Sequence, residues 1–202
     1  VLANLPEAQR KDAEARIARV RAAYEANPLL RYKPHPKQAE FHSIKTNIGA
    51  VFAGNRFGKT ACGVVDDLIQ CCDKDAVPDH LQQFKRWDPA EHGPIKGRIA
   101  APKFNENIGR VIIPAIRDWA PRSQLKGGSF DEAYSKSERL LRFVNGSTIQ
   151  FLTFDQDRDA HAGAALHFAH FDEEPEGEKG LGLFIENMTR LGDHDGDFRL
   201  TM

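Results

Sequence analysis

Apolar residues recur along this chain at two spacings, and the changes between the two predict an alternation of helices and strands. Residues 6–26 carry an apolar stripe at helical spacing among charged residues (Ala13, Ile17, Val20 and Tyr24), which predicts an amphipathic helix packed on a domain edge. Strands are expected at 48–52, 98–102, 166–171 and 198–202, and helices at 61–69 and 104–119. Strands that alternate with helices in this way are typical of an α/β fold.

Local signals refine this pattern. Pro114 lies inside the helix expected at 104–119 and predicts a kink or a break into two pieces. The segment 77–97, rich in Pro, Asp, His and Gly, is expected to be a connection. Asn145 and Gly146 stand between alternating runs and predict a hairpin, for which a three-residue loop with Gly146 in the left-handed conformation separates an apolar face from a polar one. The predicted pairs are Leu141 with Ile149 and Arg142 with Thr148.

The stretch IGAVFAGNRFGKT (48–60) joins a buried strand to a helix through a turn of small residues. It matches a phosphate-binding loop in the form that has Ala at the first position, although the strict form with Gly there is not met. We expect Gly54 and Gly58 to adopt the φ angles that let backbone N–H groups surround a polyphosphate. Lys59 is expected to reach the β- and γ-phosphates, and the Thr60 hydroxyl to ligate Mg²⁺. The expected nucleotide contacts in the loop are Ala53, Gly54, Asn55, Arg56, Phe57, Gly58, Lys59 and Thr60.

A glutamine upstream of the loop is a candidate adenine contact. In the segment RYKPHPKQAEFH (31–42), Gln38 offers a donor and an acceptor in one plane, which matches the N6 donor and the N7 acceptor of adenine. Tyr32 or Phe41 would then cover the adenine ring. The alternative is an ordinary helix N-terminus after Pro36, and the phosphate loop downstream favours the adenine contact.

Acidic residues follow the strand expected at 166–171. At the tip of a strand in a parallel nucleotide-binding sheet, carboxylates lie beside the phosphate loop. We expect Asp172 to orient Mg²⁺, directly or through a water, and Glu173 to polarise the water that attacks the γ-phosphate. Glu174 is expected to face solvent or a helix start. An isolated acidic cluster would be interpreted as a surface turn, but its combination with a phosphate loop is specific.

Two other polar groups resemble metal sites only superficially. His167 and His170 are three positions apart, so on a strand they point to opposite faces and cannot bind one metal ion. We interpret both as hydrogen-bonded structural residues. The run 193–197 lacks an alternating ligand and the closing Glu of a calcium loop, and is predicted to be a turn.

Composition and charge bound the remaining possibilities. With 202 residues, of which 41% are hydrophobic and 28% charged, the chain is expected to form one domain. A formal net charge of -1 means that the protein surface is not positively charged as a whole, so DNA contact would need a local patch of basic residues. Cys62, Cys71 and Cys72 lack metal spacing and are expected to be reduced thiols. No apolar run approaches the length of a membrane span and no signal peptide precedes Leu5, so we expect a soluble intracellular protein.

Four stretches together resemble the ATPase domain of the large terminase subunit of tailed bacteriophages. They are RYKPHPKQAEF, AGNRFGKT, FDQDRDAHAGAALHFAHFDEEP and the terminal LTM. The resemblance implies a three-layer α/β P-loop NTPase fold of the ASCE/RecA-like type, with a mostly parallel central sheet and an added β-hairpin. We expect residues 1–30 to form an N-terminal helix packed on the core and residues 31–202 the ATPase domain, ending before a nuclease domain.

The resemblance also implies roles for individual residues. It assigns ATP and Mg²⁺ to Lys59, Thr60 and Asp172, the catalytic base to Glu173, and adenine to Gln38. Arg56 occupies the loop position where terminases carry a basic residue that can sense the γ-phosphate. The family places an arginine finger directly before a Gly ahead of the acidic strand. Here Gly163 follows Ala162, and Arg158 is the nearest candidate. Thr201 would begin the motif that couples hydrolysis to movement.

The resemblance finally implies partners and a location. They are double-stranded DNA, further copies of the chain in a ring (a pentamer on the capsid, a monomer in isolation), the portal protein and the small terminase subunit, without a membrane, in the cytoplasm of an infected bacterial host. Two alternatives remain open from the sequence. One is a helicase-like DNA-dependent ATPase, and the other is a nucleotide-dependent assembly module without useful turnover.

Overall fold

The structure, a computed structural model, describes residues 6–54, 57–163 and 165–202. The strands are β1 (Ile48–Val51), β2 (Lys96–Ala101), β3 (Tyr134–Ser135), β4 (Leu140–Arg142), β5 (Thr148–Thr153), β6 (Phe168–Asp172) and β7 (Asp197–Thr201). The α-helices are α1 (Glu7–Ala26), α2 (Pro36–His42), α3 (Lys59–Cys71), α4 (Asp79–Gln82), α5 (Pro89–His92), α6 (Ile113–Trp119), α7 (Phe130–Ala133), α8 (Arg158–His161) and α9 (Gly177–Leu191). A π-helix spans Phe104–Ile112, and short 3-10 helices span Pro28–Arg31, Lys74–Ala76, Arg122–Gln124, Lys126–Gly128 and Gly192–His194.

The strands form a seven-stranded sheet in the order β1-β7-β6-β2-β5-β4-β3. The pairs from β1 through β5 in that order are all parallel, whereas β4 pairs antiparallel with both β5 and β3. The predicted α/β fold with a mostly parallel sheet and an added hairpin is therefore confirmed. Strand β7, the last in the chain, lies between β1 and β6.

Helices cover both faces of the sheet, and strand β6 shows why. Successive side chains of a strand point to opposite faces. Phe168 belongs to the buried cluster that contains Val64 and Leu68 of α3, whereas Ala169 and Phe171 belong to a second cluster with α9. Both faces of β6 are therefore buried, and the predicted three-layer arrangement is confirmed.

The hairpin prediction is confirmed in detail, and the prediction for Pro114 in part. The helix expected at 104–119 changes from the π-helix to α6 next to Pro114, but Ile112 and Ile113 keep helical backbone angles, so the chain does not break there. In the hairpin, Leu141 pairs with Ile149 and Arg142 with Thr148. Gly146 has φ 87°, the left-handed conformation that the three-residue loop requires.

Helix α1 forms where the sequence predicts it, but the expected packing of its apolar stripe on the domain is wrong. None of its described residues is buried, and Ile17, Val20 and Tyr24 are 41%, 45% and 40% exposed. Pairs of opposite charge at i, i+4 spacing support a helix without burying it. Such pairs in α1 are Lys11 with Glu7 and Arg10 with Glu14.

The three cysteines are free and buried, as expected. Cys62 and Cys71 lie on α3, and Cys72 caps its carboxyl end. Burial raises the pKa of the Cys62 and Cys72 thiols to about 12, so both remain protonated and inert at neutral pH.

The connection 77–97 supplies a half-buried cation, Arg86, that the sequence pattern did not reveal. Arg86 donates to Asp66 of α3 at 2.6 Å and also to Asp197, the first residue of β7. Burial alone would raise the pKa of Asp66, but the charge of Arg86 and hydrogen bonds from Arg86 and His42 hold this pKa well below its ordinary value. Arg86 therefore ties α3 to β7.

We expect Arg86→Met to lower the free energy of unfolding by about 3 kcal/mol, because Asp66 and Asp197, which have little exposure to water, lose the cation that joins them. Urea denaturation measures this change. The control is Arg142→Met, which removes the half-exposed partner of the exposed Glu138 and should cost less than about 1 kcal/mol. Equal losses in the two variants would contradict the role of Arg86.

Candidate active site

Three segments meet at the carboxyl edge of the sheet because β7 lies between β1 and β6. Met202 N donates to Val51 O at 3.0 Å, and Ala53 N donates to Met202 O at 3.0 Å. On the other side of β7, Glu173 N donates to Thr201 O at 2.8 Å. The loop after β1 and the acidic end of β6 are thus held on either side of the end of β7.

The loop predicted to bind phosphate ends at Gly58, which has φ 82° and caps the amino end of α3. A residue with a side chain rarely adopts this angle, so the prediction for Gly58 is confirmed. Gly54, in contrast, does not have a positive φ in this structure. The first helical residues after the cap are Lys59 and Thr60, whose backbone N–H groups have no partner within the helix and provide an anion-binding end.

The described part of the loop borders a cavity of about 310 Å³. The Lys59 ammonium donates to Ala53 O at 2.6 Å and to Gly54 O at 3.2 Å, so it spans the loop. The cavity is lined by Phe57, Gly58, Lys59, Thr60, Ala61, Asp172, Glu173 and Thr201. The structure thereby brings the two predicted halves of the site to one cavity.

The side chains predicted to hold Mg²⁺ are in direct contact. The Thr60 hydroxyl lies 3.1 Å from both carboxylate oxygens of Asp172, and the Thr201 hydroxyl donates to Asp172 Oδ1 at 2.6 Å. Among the described residues, no group of three or more His, Cys, Asp or Glu side chains could hold a metal ion alone. One carboxylate beside one hydroxyl nevertheless fits Mg²⁺, which proteins bind through one or two carboxylates and the phosphates of a nucleotide.

Glu173 is exposed, borders the same cavity and has a strained backbone. Its φ is 84°, in the region that residues with a side chain rarely occupy. Strain of this kind costs on the order of 1–3 kcal/mol and tends to occur at functional sites. Its neighbour Glu174 does not border this cavity and lines an adjacent one.

Gln38 links α2 to the loop. Its Oε1 accepts from His35 N at 2.9 Å, which completes a capping box, and its Nε2 lies 3.4 Å from Phe57 O. The helix N-terminus that was the alternative interpretation is therefore present, and adenine contact by Gln38 stays a prediction. The Gln38 amide also lies 3.2 Å from the position that a Cβ on Gly58 would occupy.

Of the two aromatic residues expected to cover adenine, only Phe41 lies next to the loop. Together with Phe52 and Phe57, it lines a cavity of about 530 Å³. The expected role of Tyr32 does not fit the structure, because its ring is 5% exposed and packs edge-on against Trp119. The Tyr32 hydroxyl bonds His42 within the core.

Asn55 and Arg56 lie outside the described residues, as does the side chain of Arg158. The backbone that follows Arg158 is anchored from the core. Arg98 of β2 donates to His161 O at 2.7 Å and to Asn187 Oδ1 at 2.9 Å. Burial, together with repulsion by Arg190, lowers the pKa of Arg98 to about 10, so its guanidinium is still charged at neutral pH.

Sequence reasoning missed Asp67, which is buried behind the cavity. Its carboxylate lies 2.7 Å from Nδ1 of His170, whose Nε2 lies 2.9 Å from the Thr201 hydroxyl. Burial alone would lower the pKa of His170, but the charge of Asp67 and its hydrogen bond raise it above the ordinary value. The prediction that His170 is a hydrogen-bonded structural histidine is confirmed. One signal could have revealed Asp67, since it lies on the same face of α3 as Thr60.

No family model matches the chain, and no curated protein matches it either. Solved structures do resemble it. The large terminase ATPase domain of Thermus phage P74-26 has 18% sequence identity with a TM-score of 0.58, and the alignment covers 86% of this chain and 66% of that one. A mutant of the same domain gives a TM-score of 0.57. The large terminase of a second, thermophilic bacteriophage, solved in complex with ADP, has 14% identity and a TM-score of 0.50 over 82% of this chain and 38% of that one.

The resemblance to large terminase ATPase domains is thus confirmed for the fold. The chain spans just under two thirds of the P74-26 ATPase domain. Among the residues that the structure describes, no helix is long and apolar enough to cross a membrane.

Proposed function

We propose that this chain is the ATPase of a phage DNA-packaging motor, which binds ATP with Mg²⁺ and hydrolyses it to move double-stranded DNA into a procapsid. One observation carries the proposal. Lys59, Thr60, Asp172 and Glu173 border a single cavity at the carboxyl edge of a sheet whose fold is that of large terminase ATPase domains. A protein that only binds nucleotide has no need for a positioned base such as Glu173.

Binding of the triphosphate depends on the amino end of α3. Lys59 is held across the loop by main-chain carbonyls, and we propose that it exchanges these acceptors for the outer phosphate oxygens. Thr60 and Asp172 are the residues that would hold Mg²⁺, which neutralises charge on the phosphates when bound. Gln38, beside the loop, would contact adenine.

Hydrolysis requires a water positioned against the γ-phosphate. We propose that the Glu173 carboxylate polarises this water. Glu173 follows β6 and borders the cavity of about 310 Å³, and β7 separates it from β1, the strand that leads into the loop. Arg56 in the loop would sense the γ-phosphate, and Arg158 would supply the charge that stabilises the transition state.

The partners follow from the same proposal. The structural neighbours are a large terminase ATPase domain and a large terminase that was solved in complex with ADP. We propose that this chain likewise acts on double-stranded DNA as part of a ring, a pentamer on the capsid and a monomer in isolation. The ring would act together with the portal protein and the small terminase subunit, in the cytoplasm of the infected host.

We expect Lys59→Ala to weaken ATP binding by about 10- to 100-fold and AMP binding hardly at all, because the lost cation contacts the outer phosphates. Isothermal titration calorimetry with ATP and AMP measures both affinities. The control is Lys126→Ala, an exposed lysine that does not line the phosphate cavity, which should change neither. Equal weakening of ATP and AMP would place Lys59 away from the phosphates and contradict the proposed site.

A further inference from the structure

A continuous chain of buried hydrogen bonds leads from the middle of α3 to the carboxylate expected to hold Mg²⁺. Asp67 Oδ2 lies 2.7 Å from His170 Nδ1, and His170 Nε2 lies 2.9 Å from Thr201 Oγ1. The Thr201 hydroxyl in turn lies 2.6 Å from Asp172 Oδ1. Each of the four side chains is at most 5% exposed, so water does not compete for these bonds.

The direction of the hydrogen bond between Thr201 and Asp172 follows from the donors available. Asp172 accepts at 2.6 Å and Thr201 has one hydroxyl proton, so that proton belongs to the bond with Asp172. The ring of His170 contacts the Thr201 oxygen through Nε2 and the carboxylate of Asp67 through Nδ1. Asp67 thus holds the ring that contacts Thr201, and Thr201 in turn contacts Asp172.

Helix α3 is shaped for this contact. Thr60, Gly63 and Asp67 are spaced i, i+3 and i+7, which places them on one face of the helix, toward β6 and β7. A Cβ on Gly63 would lie 2.3 Å from His170 Cε1 and 3.1 Å from Thr201 Cγ2. Glycine inside a helix costs about 0.5–1 kcal/mol relative to alanine, and here its absent side chain makes room for the histidine ring.

We propose that Asp67 and His170 are positioning residues for the metal-nucleotide site, which fix the carboxylate of Asp172 through Thr201. Helix α3 would then determine the positions of both protein ligands of Mg²⁺, Thr60 and Asp172. It carries Thr60 at its amino end and orients Asp172 through three hydrogen bonds. This inference rests on the proposed function, because it assigns Mg²⁺ and a nucleotide to the cavity.

The first test measures metal binding separately from activity. Mn²⁺ binding to the ADP-saturated full chain is followed by electron paramagnetic resonance, and ADP affinity is measured in EDTA. We expect Asp67→Asn and Thr201→Val each to weaken Mn²⁺ binding by about tenfold, the effect of one hydrogen bond to a charged group. ADP affinity without metal should change less than about twofold, since the Lys59 ammonium is held by the carbonyls of Ala53 and Gly54, which both variants retain.

The double variant tests whether the two residues act through one chain. Residues in one hydrogen-bond network are not additive. Asp67→Asn combined with Thr201→Val should therefore weaken Mn²⁺ binding no more than Thr201→Val does alone. Gly63→Ala should reproduce the loss without removing any polar group, because the added methyl displaces His170.

Helix α3 also offers a matched control. Asp66 is the neighbour of Asp67, and its carboxylate lies 3.0 Å from Nδ1 of buried His42. The other ring nitrogen of His42 bonds the Tyr32 hydroxyl rather than a residue of the cavity. We expect both His170→Asn and His42→Asn to lower stability, but only His170→Asn to weaken Mn²⁺ binding, by about tenfold. The two histidine variants therefore separate a structural role from a positioning role.

The outcomes distinguish this inference from the proposed function. If the wild-type chain binds neither ADP nor Mn²⁺, the proposed function is overturned and this inference with it. If the wild-type chain binds both and the variants bind Mn²⁺ equally well, only the inference is overturned. Additive losses in the double variant, or the same loss in His42→Asn, would also overturn it. Should Asp67→Asn not fold, Thr201→Val, which preserves side-chain volume, supplies the decisive measurement.

Discussion

Glu173→Gln is expected to retain nucleotide affinity and to lower the rate of ATP hydrolysis by about 10²- to 10⁴-fold. The amide has the shape of the carboxylate but is too weak a base to polarise water. Phosphate release under single-turnover conditions measures the rate, and ATP titration measures affinity. The control is Glu174→Gln, which removes the adjacent exposed carboxylate that does not border the phosphate cavity. A wild-type rate of ATP hydrolysis in Glu173→Gln would show that Glu173 is not the catalytic base.

The backbone of Glu173 gives this prediction a second readout. Because φ at this residue is 84°, glycine would relieve the strain, and Glu173→Gly should raise the free energy of unfolding by about 1 kcal/mol while abolishing turnover. A gain of stability together with a loss of activity is the pattern expected where a strained residue is kept for function. A glycine variant less stable than the wild type would show that contacts of the Glu173 side chain support the fold.

The parts of the fold that the sequence predicted correctly depend on local rules. The hairpin register follows from alternation and from the need for Gly146 at positive φ, both of which can be read within ten or so residues. The succession of strand β1, the turn that ends at Gly58 and helix α3 is equally local. The meeting of Thr60 with Asp172 is not local, but strands in a parallel sheet end at one edge, so topology brings their tips together.

The parts that the sequence did not predict depend on partners that are distant in the chain. Arg86 lies in a connection with no periodic pattern, yet it binds carboxylates 20 and 111 residues away. Asp67 and His170 are 103 residues apart. Helical periodicity placed the stripe of α1 correctly along the chain but did not indicate which surface it would meet, and the sequence around Tyr32 did not indicate that its ring is buried. Whether a charged residue is buried or an apolar residue is exposed depends on its tertiary neighbours, and sequence periodicity carries no information about those neighbours.

The position of the proposed arginine finger also depends on partners that local sequence does not reveal. The described residues of the cavity include one cation, Lys59, to which we assign the binding of the phosphates. The charge that develops during phosphoryl transfer requires a further cation. Arg158 is the residue that the terminase resemblance indicates. The backbone three residues later, at His161, accepts a hydrogen bond from the buried Arg98. We propose that Arg158 serves a neighbouring subunit.

The isolated chain is therefore expected to be a poor ATPase whose specific activity rises when copies assemble. Arg158→Ala should lower the activity of the assembled ring by about 10³- to 10⁵-fold, the contribution of an arginine finger, and leave the ATP affinity of the monomer nearly unchanged. The measurement is ATP hydrolysis against protein concentration, with and without DNA and procapsid. Arg110→Ala, at an exposed position on the π-helix, is the matched control and should retain wild-type activity.

Mixing two inactive variants decides whether Arg158 acts between subunits. Glu173→Gln keeps its arginine and Arg158→Ala keeps its base, so a mixed ring contains interfaces at which an intact base meets an intact finger. Such a mixture should recover a fraction of wild-type turnover if the finger crosses the interface, and none if both groups must belong to one chain. A wild-type specific activity that is high and independent of concentration, DNA and procapsid would show that the monomer is complete, and the finger would then have to act within the chain that carries it.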